Sequence, residues 1–244
     1  MIKIIIHITK FIIATVTALL FASCNFNFNA IEGSGNVTTE KRTVQGDFKN
    51  VKVSNAIDLV IEQSDSKEII VEADDNLQNE IITKVENGTL IIKCKYSSFR
   101  NVTMKKVTVK MPVIDKLEAS SASTIQSKNV IQGENIELET SSAATMDIDM
   151  ESDNISLESS SGSSISIEGK ALKIKTAASS GANINADKLL ANEVDAEASS
   201  GGSVNVHSIV SLKAKASSGG SVNYTGSPKT VEKTAQSGGN VNKS

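Results

Sequence analysis

Apolar and polar residues alternate through most of this chain, as in Ile155-Ser-Leu157-Glu and Ile165-Ser-Ile167-Glu. A period of two marks β-strands with one buried face. From Asp115 onward a short Ser/Gly block interrupts the alternation at regular intervals, and block and strands repeat together. Val194-Asp-Ala-Glu-Ala-Ser-Ser-Gly-Gly-Ser-Val204 is followed by Leu212-Lys-Ala-Lys-Ala-Ser-Ser-Gly-Gly-Ser-Val222. Seven copies begin at Asp115, Ile136, Ile155, Ile174, Val194, Leu212 and Val231, in steps of 21, 19, 19, 20, 18 and 19 residues. A repeat of this length is the mark of a solenoid.

The block recurs at the same phase in each copy, which favours stacking copy on copy over a series of hairpins. Each strand then pairs in parallel with its equivalent one rung away, at roughly 4.8 Å, so that seven rungs span roughly 29 Å. Helical repeats are excluded, because no copy spaces its apolar residues by three and four, and Ser, Thr, Asn and Gly are poor helix formers. Parallel crossovers are right-handed. The expected fold is an all-β, right-handed parallel β-helix.

Two positions define the corner of each coil. The seventh is serine in every copy: Ser121, Ser142, Ser161, Ser180, Ser200, Ser218 and Ser237. The eighth is Ala122, Ala143, Gly162, Gly181, Gly201, Gly219 and Gly238. The two alanines argue for close approach of stacked backbones rather than positive φ, and the serines for a ladder of hydroxyls along the column.

Residues 43–114 are also strand-like, but irregular. Val51-Lys-Val53-Ser-Asn-Ala-Ile57-Asp-Leu59-Val-Ile61 reads as a divergent first coil, with Asn55 to Asp58 at the corner. Glu86-Asn87-Gly88-Thr89 calls for a type I′ hairpin between Ile81-Ile-Thr83-Lys-Val85 and Leu90-Ile-Ile92. This region therefore mixes antiparallel strands with the first coils and covers the upper end of the column, whose backbone would otherwise be unpaired. At the other end Lys233 and Lys243 stand where earlier copies carry Leu157 and Ile167, and lysine on a strand edge discourages further pairing.

The chain begins with an export signal, residues 1–23: Lys3 and Lys10 lead into the apolar run from Phe11 to Ala22. It ends Leu20-Phe-Ala-Ser-Cys24, small residues before a cysteine, in the manner of a bacterial lipobox. Cys24 is then the lipidated first residue of the mature protein, and the membrane a partner through that lipid. Residues 24–42 read as a polar tether and 43–244 as one solenoid domain, with the seven repeats at 115–244. The setting implied is the bacterial cell envelope, as an outer-membrane lipoprotein on either the surface or the periplasmic face.

Composition sharpens this picture. Only 3% of residues are aromatic against 39% hydrophobic, which suits a narrow core of Ile, Val, Leu and Ala. The net charge of −3 becomes −5 without the two leader lysines. No basic patch or aromatic platform points to nucleic acid.

Candidate chemistry is sparse, and no cofactor is implied. His207 is the one histidine after the leader, so no histidine-based triad or metal site can be assembled. Cys94 alternates with Leu90 and Ile92 and reads as a buried thiol. Asp147, Asp149, Glu151 and Asp153 form the densest acidic run, a weak calcium candidate lacking the glycine of a calcium loop. What remains is a displayed ladder of hydroxyls and amides: Ser180, Asn183, Asn185, Ser200, Asn205, Ser218 and Asn223. It suits a glycan or a protein ligand, or a purely structural role. The competing reading is a carbohydrate-active β-helix enzyme, which would need carboxylates and cations from separate coils to converge in one groove.

Gly33-Ser-Gly35-Asn-Val37, Arg42-Thr-Val44, Gly46-Asp-Phe48 and Val51-Lys-Val53-Ser-Asn-Ala-Ile57-Asp-Leu59 resemble the opening of the head GIN-domain family of auto-transporter adhesins. Tyr224-Thr-Gly226-Ser-Pro228 is similar to that family's closing pattern. The resemblance spans roughly residues 33–242. It implies an exported β-helical protein, often lipid-anchored, with a binding or adhesive role and no catalytic residues to carry over.

Overall fold

The computed structural model describes residues 9–16 and 30–244. Residues 9–16, inside the expected export signal, are helical. Among the described residues no helix is long and apolar enough to cross a membrane. Cys24 and the leader's cleavage site lie outside the described residues.

The first strands build a cap. β1 (Ala30–Glu32) runs parallel to β8 (Ser98–Arg100). β2 (Val37–Arg42) lies antiparallel to β5 (Glu68–Asp74), which lies antiparallel to β9 (Lys105–Met111). β6 (Ile81–Glu86) and β7 (Thr89–Cys94) form the expected hairpin, with Asn87 at φ 49° and Gly88 at φ 74°, the two positive angles of a type I′ turn. Residues 30–42 are thus part of the fold, which corrects the reading of 24–42 as a tether throughout. β2 is polar because it is an edge strand with one neighbour and most of its side chains exposed.

β3 (Asn50–Val53) and β4 (Asp58–Gln63) are the first complete coil. β3 lies between β7 above and β10 (Lys116–Ala119) below, and β4 between β9 above and β11 (Thr124–Ser127) below, all in parallel. The open edges that a parallel column would present at its top are therefore taken up by β6 and by the β2–β5–β9 sheet.

Below this, β12 (Ile131–Thr140), β13 (Thr145–Ser159), β14 (Ser164–Ala178), β15 (Asn183–Ala198) and β16 (Ser203–Ala216) stack in parallel as successive rungs, with register shifts midway along the β14–β15 and β15–β16 pairs. Each of the long strands bends, so that its two halves serve two separate ladders. The bend is plainest in β16, whose first half pairs with β17 (Ser221–Gly226) and second half with β18 (Thr230–Ala235). β19 (Asn240–Lys243) completes the last rung beneath β17. The fold is a parallel β-solenoid with antiparallel strands at one end.

Alternation fills the core. In the first ladder Leu117, Leu138, Leu157, Thr176, Ala196 and Ala214 stack directly on one another, all completely buried. The second ladder stacks Ile125, Met146, Ile165, Ile184, Val204 and Val222. Side chains shrink towards the C-terminus in both of these stacks, which lowers their share of buried apolar surface at roughly 25 cal/mol per Å², while the adjoining stack of Ala186, Val206 and Tyr224 enlarges. Thr140, Ser159 and Ser163 are buried and satisfy one another at 2.9–3.0 Å.

The corner differs from expectation. The seventh-position serines have φ between 49° and 56°, and the eighth-position residues lie between 59° and 77°, Ala122 and Ala143 included. Two consecutive left-handed residues are what turns the chain here, and the alanines bear the strain that glycine avoids. A side chain built on Gly162, Gly181, Gly201 or Gly219 would meet nothing within 4 Å, so close approach is not the reason for glycine. Close approach occurs one position later, where a Cβ on Gly202 would fall 2.5 Å from the carbonyl oxygen of Ala178.

The expected hydroxyl ladder is instead a backbone ladder. The eighth-position N–H donates to the seventh-position carbonyl of the next rung: Gly162 to Ser180 at 3.1 Å, Gly181 to Ser200 at 3.1 Å, Gly201 to Ser218 at 3.2 Å. The serine hydroxyls point outward and are exposed.

Candidate functional site

The two ladders present different outer surfaces. On the second, outward positions form two columns that run to the last rung: Asn183, Ser203, Ser221 and Asn240, and beside them Asn185, Asn205, Asn223 and Asn242. The Nδ2 of Asn223 donates to Oδ1 of Asn205 at 3.0 Å, and that of Asn242 to Oδ1 of Asn223 at 3.4 Å. Ser180, Ser200 and Ser218 sit at the corner that opens the same face. The structure thus brings the corner serines and Asn183, Asn185, Asn205 and Asn223 together on one surface. His207 borders it, with Nδ1 3.0 Å from the Thr225 hydroxyl.

The first ladder is charged over the same rungs, with Asp195 above Lys213 and Glu232, and Glu197 above Lys215. Higher up, Lys116 bonds to Glu139 at 2.6 Å and reaches Glu118 at 3.3 Å and Glu137 at 3.4 Å, while Lys52 pairs with Glu118 at 2.7 Å. Burial works against the Lys116 charge, but Glu139 and Glu118 outweigh it and hold the pKa above the usual lysine value. Burial likewise pushes Glu118 up, and Lys52 and Lys116 together bring it below the usual range. Lys52, Glu118 and Glu139 border a groove of about 280 Å³ that includes Glu158 and Ser160. Carboxylates and a cation from separate coils meet in it, Lys52 bonding to Glu118 of the next rung, while Glu118 and Glu139 also bond to Lys116.

The acidic run does not form a cage. Asp147 and Asp149 point outward from alternate positions of β13, and Glu151 reaches Lys170 at 3.7 Å. Asp153 is exposed like the others. Among the described residues no group of three or more His, Cys, Asp or Glu is placed to hold a metal ion. Cys94 is a buried free thiol whose pKa burial pushes up. On a third side, between the ladders, Leu172, Leu190 and Ile209 are exposed beside a shallow groove of about 510 Å³.

Two buried ionisable groups escaped the sequence reading. Asp74 is completely buried. It accepts N–H bonds from Gly35 at 3.0 Å, Thr103 at 3.1 Å and Met104 at 2.9 Å. Burial alone would raise its pKa, but these three donors hold it below the usual carboxylate value. Lys105 is 8% exposed, with its ammonium 3.2 Å from the centre of the Phe99 ring and 3.1 Å from the Asn55 carbonyl oxygen. Burial lowers its pKa to about 8, against the pull of Cys94 and Asp58. Alternation with Val107 and Val109 was the available signal for Lys105. Asp74 carried none, because the residue 33–36 loop that buries it is remote in sequence.

The model of one protein family, described as putative auto-transporter adhesin, head GIN domain, matches residues 47–228. The chain belongs to that family. Its solved structural neighbours agree with the solenoid. A putative adhesin from Bacteroides fragilis superimposes with a TM-score of 0.81 at 20% identity, covering 88% of this chain and all of that one. A putative adhesin from Parabacteroides distasonis gives 0.72 at 23% identity, with 88% and 100% covered. A protein from the same species described as a putative lipid binding protein gives 0.70 at 20% identity, with the same coverage. At these identities the neighbours establish the family's fold and leave its ligands open. Comparison with curated proteins returns no match.

Proposed function

We propose that this family member is exported, anchored in the bacterial outer membrane by a lipid on Cys24, and acts by binding at the cell envelope rather than by catalysis. The observation that carries the reading is where the chain enters the fold. β1 pairs in the cap, at the opposite end of the column from β18 and β19. Cys24 precedes β1 by only 6 residues, which reach at most about 20 Å. A lipid there holds the cap towards the bilayer and leaves the sides and lower end of the column to face outward. The competing enzyme reading draws on the groove where Lys52, Glu118, Glu139 and Glu158 from separate coils converge. The ion pairs of Lys52 and Lys116 with Glu118, Glu137 and Glu139 favour binding over chemistry, because a lyase or hydrolase would need these groups free around a substrate.

Replacing Cys24 by Ser in the native host tests the anchor. The protein should move from the membrane fraction to the soluble one, and cells should lose attachment to the surface they bind to the same extent as a strain lacking the protein. Unchanged fractionation contradicts the anchor, and attachment that does not depend on the protein contradicts the adhesive role.

A further inference from the structure

The lower second ladder is built unlike the rest of the surface. From Asn183 and Asn185 to the last rung its two outward columns hold eight side chains, all of them Asn or Ser and none charged. On the neighbouring ladder, over the same four rungs, six of the eight outward residues Lys175, Ala177, Asp195, Glu197, Lys213, Lys215, Glu232 and Thr234 are charged. Solubility alone is served at least as well by charge, so the neutral composition of one face needs a separate cause.

Three physical consequences follow from that composition. Amides and hydroxyls are far less costly to desolvate than carboxylates or ammonium groups, so this face can shed water against a ligand that returns its hydrogen bonds. The Asn205–Asn223–Asn242 bonds fix the amide planes before a ligand arrives, which lowers the entropy lost on binding. Each amide still keeps a donor and an acceptor site free for a ligand after the bond along the ladder. The register runs unbroken from Asn183 to Ala186 and on through β17 and β19, so the groups repeat at roughly 4.8 Å down the column and roughly 6.7 Å along each strand.

We infer that this face binds an extended, uncharged polysaccharide lying along the column axis, with about one sugar unit to each rung. The rung spacing is comparable with the advance of a pyranose unit in an extended chain. Hydroxyls of a neutral glycan both donate and accept, which matches an array of amides and hydroxyls. An anionic glycan or a charged protein surface would find no counter-ions in these two columns, the charges of the same strands, Asp187, Lys188 and Lys243, lying beyond them. The assignment rests on the adhesive reading and names its ligand class.

The test uses the full-length protein in a non-ionic detergent over immobilised polysaccharides. Neutral mannan, galactan and β-glucan are the probes, with hyaluronan and alginate as anionic ones. At least one neutral polymer should bind, and its affinity should be insensitive to salt because no ion pairs form. Asn205→Asp with Asn223→Asp should weaken that binding about ten-fold or more, since each new carboxylate must be desolvated without a partner. Asn185→Asp leaves the ladder bonds intact and should weaken it in the same direction, and it serves if the double variant unfolds. Lys213→Glu, on the charged ladder, should leave binding unchanged. Binding only to the anionic polymers, binding to none, or binding indifferent to the aspartates overturns the assignment. If attachment of cells still depends on the protein in that case, the ligand is of another class, such as a protein, and the adhesive reading stands. Polysaccharide binding without any role in attachment overturns the adhesive reading alone.

Discussion

At the scale of single residues the fold depends on its corners. Ser200 and Gly201 turn the chain with φ of 50° and 74°. A β-branched residue at Gly201 must adopt this left-handed conformation, at a cost of about 1–2 kcal/mol or more, although the corner has room for it. Ser203 begins a strand, where a β-branched residue fits. Gly201→Val should therefore lower the melting temperature clearly more than Ser203→Val. Equal loss in the two variants would show that backbone conformation is not what the position selects. The presence of serine and glycine here was plain in the sequence, but alanine in two copies hid the sign of φ.

Lys105 provides a test by pH. Its folded pKa of about 8 lies below the value of about 10.4 for an unfolded lysine, so the unfolded state holds the proton more tightly. The resulting penalty on folding is full below about pH 8 and is relieved as pH rises towards about 10.4. Lys105→Met removes it. The stability of the variant relative to the wild type should fall steadily as pH is raised from about 7 to about 10 by denaturant titration. A difference that stays flat across that range would mean that the ammonium is not strained in the cap.

At the scale of elements, alternation alone revealed the strands, and the constant phase of the Ser/Gly block revealed their stacking. The Asn87-Gly88 hairpin and the divergent coil at Val51 to Ile61 were equally legible, because each has a local signature. The pairing of β2 with β5 and the burial of Asp74 depend on contacts between remote segments, which local patterns do not encode. The taper of the core predicts a gradient along the column. Leu138→Ala, at a completely buried site with a leucine above and below, should cost about 2–5 kcal/mol. Val231→Ala on the last rung, where the side chain is 43% exposed, should cost under about 1 kcal/mol. Hydrogen exchange should accordingly be fastest in β18 and β19 and slowest near β10 to β13. Uniform protection along the column would contradict the gradient. At the lower end Lys233 takes the inward register position below Ala214, and its ammonium lies 4.7 Å from the centre of the Tyr224 ring.

At the scale of the whole molecule the fold is a column with antiparallel strands over one end and long exposed sides, and the proposed anchor would turn that end towards the membrane. The stacked repeats and the divergent coil at Val51 were readable in the sequence, and the pairing of residues 30–42 into the cap was not. The neutral Asn/Ser face was visible as a list of residues, but its contrast with the charged ladder required the register. The central claim, that the exposed column is the binding element, is tested most directly by competition. Purified protein carrying Cys24→Ser and lacking the leader is added to cells whose attachment depends on the anchored form. The account predicts that attachment falls with increasing competitor to the level of cells without the protein. Attachment that persists at saturating, folded competitor would contradict it.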